Sequence, residues 1–257
     1  MKIGLFTDPH YCKAEILCRT RRPSLSLSKV KEAMETFRKE GVELCICLGD
    51  LVDKCDSLEE SYMCLNEMIG MIRSYKIPFL LVPGNHDYTV FSAEELSERT
   101  GCRIPPYTVD METHRLVILD ANYRSDFRRF DIAGVDWTDS NLPPDQLEYL
   151  NIYLNDCGKP CIVLIHENLD NSVETRHIVK NAARIRNIIE NSKNVAMVIQ
   201  GHYHRGADNI INGIRYFTLP AMCEGVGNAY CVLETADMTI FFIQNNKRVA
   251  EYITIPW

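Results

Sequence analysis

The sequence predicts an α/β fold that carries two sheets in one domain. Three observations point there. The first half alternates short apolar strands with amphipathic helices, the chain from residue 210 onward reads as antiparallel strands, and no repeat, low-complexity tract or linker separates the two regions. A length of 257 residues is enough to bury a sizeable core, and a single domain over 1–257 is the economical reading.

Residues 3–6 form a short apolar strand. Residues 26–40 place Val30, Met34 and Phe37 at helical spacing and stop at Gly41. Residues 44–48 are a buried-type strand, Ser57 with Glu60 forms a capping box that opens a helix to about Ser74, and residues 79–82 are the third strand. Strand, helix, strand, helix, strand implies right-handed crossovers and a mainly parallel sheet. A second capping box, Ser92 with Glu95, starts a short helix to about Arg99. Residues 107–112 and 115–119 read as a hairpin, 131–135 as a strand, and 143–155 as a helix with Leu147, Leu150 and Leu154 on one face. Residues 161–165 are a strand, 175–191 one continuous helix, and 195–199 a strand. Asn212-Gly213 is a hairpin turn between residues 210–211 and 214–217, and residues 230–234, 239–243 and 249–253 close an antiparallel set.

Composition excludes several classes. A net charge of −7 opposes broad binding to nucleic acid or to an anionic membrane, both of which want a basic surface. At 46% apolar and 25% charged residues the chain is globular rather than disordered. Its apolar runs stop far short of the roughly 18 residues a membrane span needs. Asp8 interrupts the N-terminal apolar stretch, so no signal peptide is read. Eleven cysteines is an odd number, none forms a CxxC pair, and Cys45, Cys47, Cys161 and Cys231 lie in strand-like runs. These are expected to be reduced thiols in a cytoplasmic protein.

The informative residues stand directly after the core strands. Phe6 leads into Thr7-Asp8-Pro9-His10, Leu48 into Gly49-Asp50-Leu51-Val52-Asp53, and Val82 into Pro83-Gly84-Asn85-His86-Asp87. Ile165 runs into His166, and Ile199 into Gln200-Gly201-His202-Tyr203-His204. Five of the seven histidines thus sit near strand C-termini, the edge of an open sheet where ligand sites form; His114 and His177 do not. Aspartate, imidazole and one carboxamide suit manganese, iron, zinc or cobalt, and serve copper(I) or calcium poorly. Seven candidate ligands (Asp8, His10, Asp50, Asn85, His166, His202 and His204) are too many for one ion. They suit two ions sharing a carboxylate, roughly 3.5–4 Å apart. Singly, a strand-end Asp is more often a turn residue and a lone His a structural one; the ordered set of five blocks is what turn chemistry does not produce.

Those blocks, in order from Asp8 to His204, resemble the calcineurin-like metallophosphoesterases, the superfamily of purple acid phosphatases and phosphoprotein phosphatases. The resemblance implies a four-layer α/β-β/α sandwich of two mixed β-sheets flanked by helices, with a dinuclear centre at the strand ends. By it, Asp8, His10 and His204 hold one metal, Asn85, His166 and His202 the other, and Asp50 bridges. His86 matches the histidine facing the scissile phosphate, Asp87 the acid that orients it, and Asp53 either supports the site residues from behind or braces the loop. The cofactors implied are two divalent or trivalent ions, manganese or iron before zinc. The activity implied is phosphoester hydrolysis by in-line attack of a metal-bridging hydroxide, with phosphodiester or nucleoside-diphosphate-type substrates slightly preferred. Glu167-Asn168 departs from relatives that carry a proline or a second histidine there. The layout around Gly213 and Asn228 is loosely similar to that of manganese-dependent ADP-ribose/CDP-alcohol diphosphatases.

Two basic clusters, Lys13 with Arg19, Arg21 and Arg22, and Arg124 with Arg128 and Arg129, are candidates for a second phosphate or a polar head group. Tyr11, Tyr88, Tyr123 and Tyr203 are candidates for stacking, and His177 for reaching the site from above. The partner expected is a small-molecule phosphoester, with neither nucleic acid nor membrane. The alternatives are a phosphomonoesterase on the same site and a non-catalytic scaffold of the same fold. A nuclease is opposed by the acidic balance and the lack of a basic stripe.

Overall fold

The computed structural model describes residues 1–132, 136–156, 158–244 and 247–253. Its twelve strands, β1 (Lys2–Phe6), β2 (Leu44–Cys47), β3 (Phe79–Leu81), β4 (Tyr107–Asp110), β5 (Arg115–Ile118), β6 (Cys161–Leu164), β7 (Val195–Gln200), β8 (Ala207–Ile211), β9 (Ile214–Thr218), β10 (Cys231–Glu234), β11 (Thr239–Gln244) and β12 (Lys247–Ile253), make two sheets. One runs β12-β11-β10-β1-β2-β3, with β1, β2 and β3 parallel and the last three strands antiparallel. The other runs β4-β5-β6-β7-β9-β8, parallel through β5, β6, β7 and β9 with an antiparallel strand at each edge.

Alternation along each strand builds the layers. In β1 and β2, Ile3, Leu5, Leu44 and Ile46 join a core between the sheets, where they meet Leu116, Ile118, Ile162 and Leu164 of the second sheet. Their neighbours Phe6, Cys45 and Cys47 face the other way, onto α1 (Ser26–Glu40) and α2 (Leu58–Ser74) through Val30, Met34, Phe37, Leu65 and Met68. On the far side Val117, Val163 and Val198 pack against α5 (Pro144–Asn155) and α6 (Ala182–Ser192) through Leu147, Leu150, Ile185 and Ile189. Helix, sheet, sheet, helix is the four-layer sandwich expected. One capping box forms in full, Ser92 and Glu95 capping α4 (Ala93–Thr100) reciprocally; at α2 only half of the expected box is present, Ser57 accepting from the Glu60 amide.

Two expectations are corrected. Residues 175–191 are not one helix: a 3-10 turn at Thr175–His177 gives way to an extended Ile178 bridged to Asn168, and α6 begins only at Ala182. A short helix not foreseen, α3 (Asn85–Val90), starts at the Gly-Asn-His-Asp block. The strand expected at 131–135 falls mostly outside the described residues. No described helix is long and apolar enough to cross a membrane.

Candidate metal centre

The carboxyl ends of β1, β2, β3, β6 and β7 open onto one cleft, and backbone bonds across the sheets hold them together. The Asp8 amide donates to Gly49 O at 3.0 Å, the Gly201 amide to His166 O at 2.9 Å, and the Cys223 amide to Asp8 O at 3.1 Å. Asp8, His10, Asp50 and His202 all have positive φ, between 47° and 64°. Each such left-handed non-glycine residue costs on the order of 1–3 kcal/mol and persists only where its surroundings enforce it. Gly49, at φ +98°, could carry no side chain in any case, because a Cβ there would collide with the His166 ring and the Gly84 amide. That close approach is what lets two loops bring their ligands together.

All seven candidate ligands meet. Asp50 Oδ2 lies 3.4 Å from His10 Nε2 on one side and 3.4 Å from His166 Nε2 on the other, while its Oδ1 accepts from the His86 amide at 2.7 Å. Asp8 Oδ1 is 3.4 Å from His204 Nε2, 3.6 Å from His10 Nε2 and 4.0 Å from His166 Nε2. His10 and His204 bring their Nε2 atoms to 3.2 Å. Asp50, His166 and His202 form a second cluster of donors within 4.8 Å of one another, and Asn85 lines the same cavity. Asp8 Oδ1, Asn85 Oδ1, His166 Nε2 and His202 Nε2 are buried without a hydrogen-bond partner among the described residues. A carboxylate oxygen, a carboxamide oxygen and imidazole lone pairs can all be satisfied at once by cations, so the donor set fits metal ions.

The charge states are set by these neighbours. Burial opposes ionisation of Asp8, but His166, His10 and His204 hold it well below the usual carboxylate range. Asp50 is likewise lowered against its burial by His166, His86 and His10. His204 is pushed up to about 12 despite burial, by its bonds to Asp8, Cys223 and Glu224, and Glu224 falls to about 2, chiefly through its bond to His204. His202 is driven well below its ordinary value by burial and by His166. Imidazoles that bind metal must shed their protons, so metal uptake here is coupled to proton release.

One contact is corrected. The Asp87 carboxylate makes no hydrogen bond to the His86 ring; it accepts from the amides of Gly84, Asp50 and Leu51 at 2.9–3.0 Å and pins the two loops together. The acid on His86 is Asp53, whose Oδ1 is 2.9 Å from Nδ1, and whose Oδ2 lies 3.5 Å from His10 Nδ1 and 3.7 Å from Arg21. Burial opposes protonation of His86, while Asp50 and Asp53 raise its affinity for the proton.

The basic clusters divide. Arg21, mostly enclosed, faces a cavity of about 610 Å³ lined also by Asp50, His86, Trp137, His177 and Tyr203. Lys13 is engaged with Glu67 and Tyr11, and the Arg22 amide bonds Cys223 O. Arg124, Arg128 and Arg129 are paired with Asp131, Asp126 and Asp120, so that loop is braced by its own charges. Tyr11 bonds Glu67, Tyr88 bonds Asp120 in the core and Tyr123 bonds Arg129; of the four tyrosines Tyr203 lines the cavity. His177 reaches the cavity, whereas His114 bonds Thr113 in its turn. Glu167 is buried with both oxygens unpartnered among the described residues, and burial lifts it to about 8. Several residues at the site escaped the sequence reading, among them Trp137, Cys223 and Glu224. Cys223 and Glu224 come after strand β9 and fall under the same strand-end rule that found the histidines, and Trp137 lies on the long connection between β5 and α5.

The sequence and fold are similar to those of known proteins. The family model for calcineurin-like phosphoesterases matches residues 1–206. The chain is 25% identical over 232 residues to a 3′,5′-cyclic adenosine monophosphate phosphodiesterase, CpdA, of Haemophilus influenzae, covering 87% of this chain and 77% of that one. It is 28% identical to the glycerophosphodiester phosphodiesterase GpdQ of Enterobacter lignolyticus, covering 77% and 68%. Among solved structures, a dimetal phosphatase from Danio rerio superimposes with a TM-score of 0.83 at 17% identity, over 98% of both chains, a likeness of fold.

Proposed function

The chain belongs to the calcineurin-like phosphoesterases, metal-dependent hydrolases of phosphoric esters, and we propose that it cleaves a small-molecule phosphodiester at a two-metal centre built within one domain. The observation that carries the reading is the Asp50 carboxylate set midway between His10 and His166, with unpartnered donors on both sides. Asp8, His10 and His204 would hold one ion, Asn85, His166 and His202 the other, and Asp50 both. Manganese or iron suits this mixture of oxygen and nitrogen donors. When bound, such a pair of cations acidifies water and neutralises charge on phosphoryl oxygens.

The side chains around that centre have separate tasks. Asp53, bonded to His86 Nδ1, leaves Nε2 of that imidazole for the ester and favours its protonated form, so His86 can pass a proton to the departing oxygen. Arg21 offers its guanidinium to phosphoryl oxygens across the cavity. Asp87 holds the Asp50 and Gly84 loops in register. The diester preference is supported by relatives named as diesterases. A cytoplasmic location is part of the proposal, supported by the ten described cysteines, all free thiols.

The test is an assay of manganese-loaded protein on an aryl monoester, an aryl diester, 2′,3′- and 3′,5′-cyclic nucleotides, ADP-ribose and CDP-alcohols. A kcat/KM at least about 10-fold higher for a diester or diphosphate than for the monoester is expected. Asp50→Ala should lose metal and turnover together, and His86→Ala should keep metal but lose about 100-fold in kcat. A monoester preference overturns the diester assignment, and full-rate turnover by His86→Ala overturns the proton donor.

A further inference from the structure

Three of the four imidazoles around Asp8 and Asp50 have polar company on the ring nitrogen away from the cluster. His166 Nδ1 is hydrogen-bonded to Leu48 O and His204 Nδ1 to Glu224 Oε1 at 2.7 Å, while His10 Nδ1, without a hydrogen bond of its own, lies 3.5 Å from the Asp53 carboxylate. Such contacts fix ring orientation and tautomer in metal-binding histidines. His202 is different. Among the described residues neither of its ring nitrogens has a hydrogen bond, and Nε2 is buried. Other rings surround it instead: His166 and His177 with centroids at 5.1 Å and Trp137 at 5.5 Å, each inclined by 65°.

The two outer rings come from separate connections. Trp137 sits on the loop after β5, and His177 on the 3-10 turn after β6. Backbone and side-chain bonds stitch these loops together: the Lys180 amide donates to Ser140 O at 2.8 Å, and Asn181 exchanges hydrogen bonds with the Leu142 backbone at 2.8 and 3.0 Å. Trp137 and His177 lie against each other at 5.1 Å, and His177 is backed by Tyr203 at 5.2 Å.

We propose that Trp137 and His177 are positioning residues for His202, which hold its imidazole in ligand orientation by edge-to-face packing where the other histidines use a polar contact. The proposal rests on the reading that this cluster binds two cations. A ring free to rotate about Cβ–Cγ would lose ordering entropy on binding an ion; a ring already clamped does not. The consequence is local to the Asn85, His166 and His202 side, because neither aromatic packs on His10 or His204.

Calorimetric titration of the metal-depleted full-length protein with Mn²⁺ tests this. Wild type is expected to show two binding events. Trp137→Ala and His177→Ala should each weaken the same event, on the order of 10-fold, and leave the other within about 2-fold. Trp137→Phe, which keeps an aromatic edge, should recover most of that loss. Glu224→Gln, acting on His204, should weaken the opposite event. If Trp137→Ala and His177→Ala both bind two ions as wild type does, even with a raised KM, the proposal is wrong. It is equally wrong if both events weaken together and Trp137→Phe restores neither. A wild-type protein that takes up no cation instead overturns the two-metal reading on which the proposal stands.

Discussion

Asp53 and Asp87 divide a labour that adjacency in sequence would assign to one residue. His86 and Asp87 are neighbours in the first turn of α3, and successive side chains on a helix point about 100° apart, so they cannot face each other. Asp87 instead turns back to collect three amides, while the partner of His86 arrives from 33 residues upstream. The Gly-Asp-x-x-Asp and Gly-Asn-His-Asp blocks were therefore legible as site residues, but the pairing between them was a tertiary fact. It separates two substitutions. Asp53→Asn should lower kcat on the order of 100-fold even at saturating metal and weaken binding on the His10 and His204 side, since it removes the charge behind both His86 and His10. Asp87→Ala leaves three buried amides without an acceptor and should cost about 3 kcal/mol or more, seen as a lower Tm. Equal Tm for Asp87→Ala and wild type, together with full activity of Asp53→Asn, would contradict both contacts.

At the scale of the element, periodicity located the core strands and the longer helices because each has one face or both buried. It failed where tertiary contacts overrode local pattern. Residues 175–191 have helical spacing throughout, yet Ile178 and Val179 are drawn into extended pairing with Asn168, which breaks the helix and presents His177 to the cavity. The Gly-Asn-His-Asp block reads as a turn, and the helix it opens is only six residues long. Glycines show the same contrast between local and tertiary demand. Gly70 lies exposed inside α2 with open space around its Cα, so Gly70→Ala should stabilise by about 0.5–1 kcal/mol. Gly49→Ala meets both a positive φ and the His166 ring, and should lower Tm and abolish metal uptake. Thermal melts with metal analysis distinguish them, and a Gly49→Ala protein that melts and loads like wild type would show that the loops approach less closely than described.

Across the whole molecule, sheet order ties the site to segments far from its ligands. All seven candidate ligands lie within the first 204 residues, but β1, which leads to Asp8 and His10, pairs on one side with β10, and β7, which leads to His202, pairs with β9. A chain ending at residue 206 would thus carry every ligand and expose two unpaired central strand edges. It is expected to be insoluble or to bind no metal, which fractionation and metal analysis after expression will reveal; a soluble, two-metal fragment would mean the C-terminal strands are dispensable.

The pairing of the first strand with one from the last thirty residues also sets a timetable on the ribosome. Asp8 is made more than two hundred residues before β10, the strand that pairs beside its own, an interval on the order of ten seconds or more at ordinary rates of synthesis. During that interval the N-terminal half holds unsheltered apolar strands and scattered carboxylates, none of them able to capture a cation pair. Loading is then expected to follow the synthesis of β10, and a translation product interrupted before it, however many of the histidines it contains, is expected to lack a working centre.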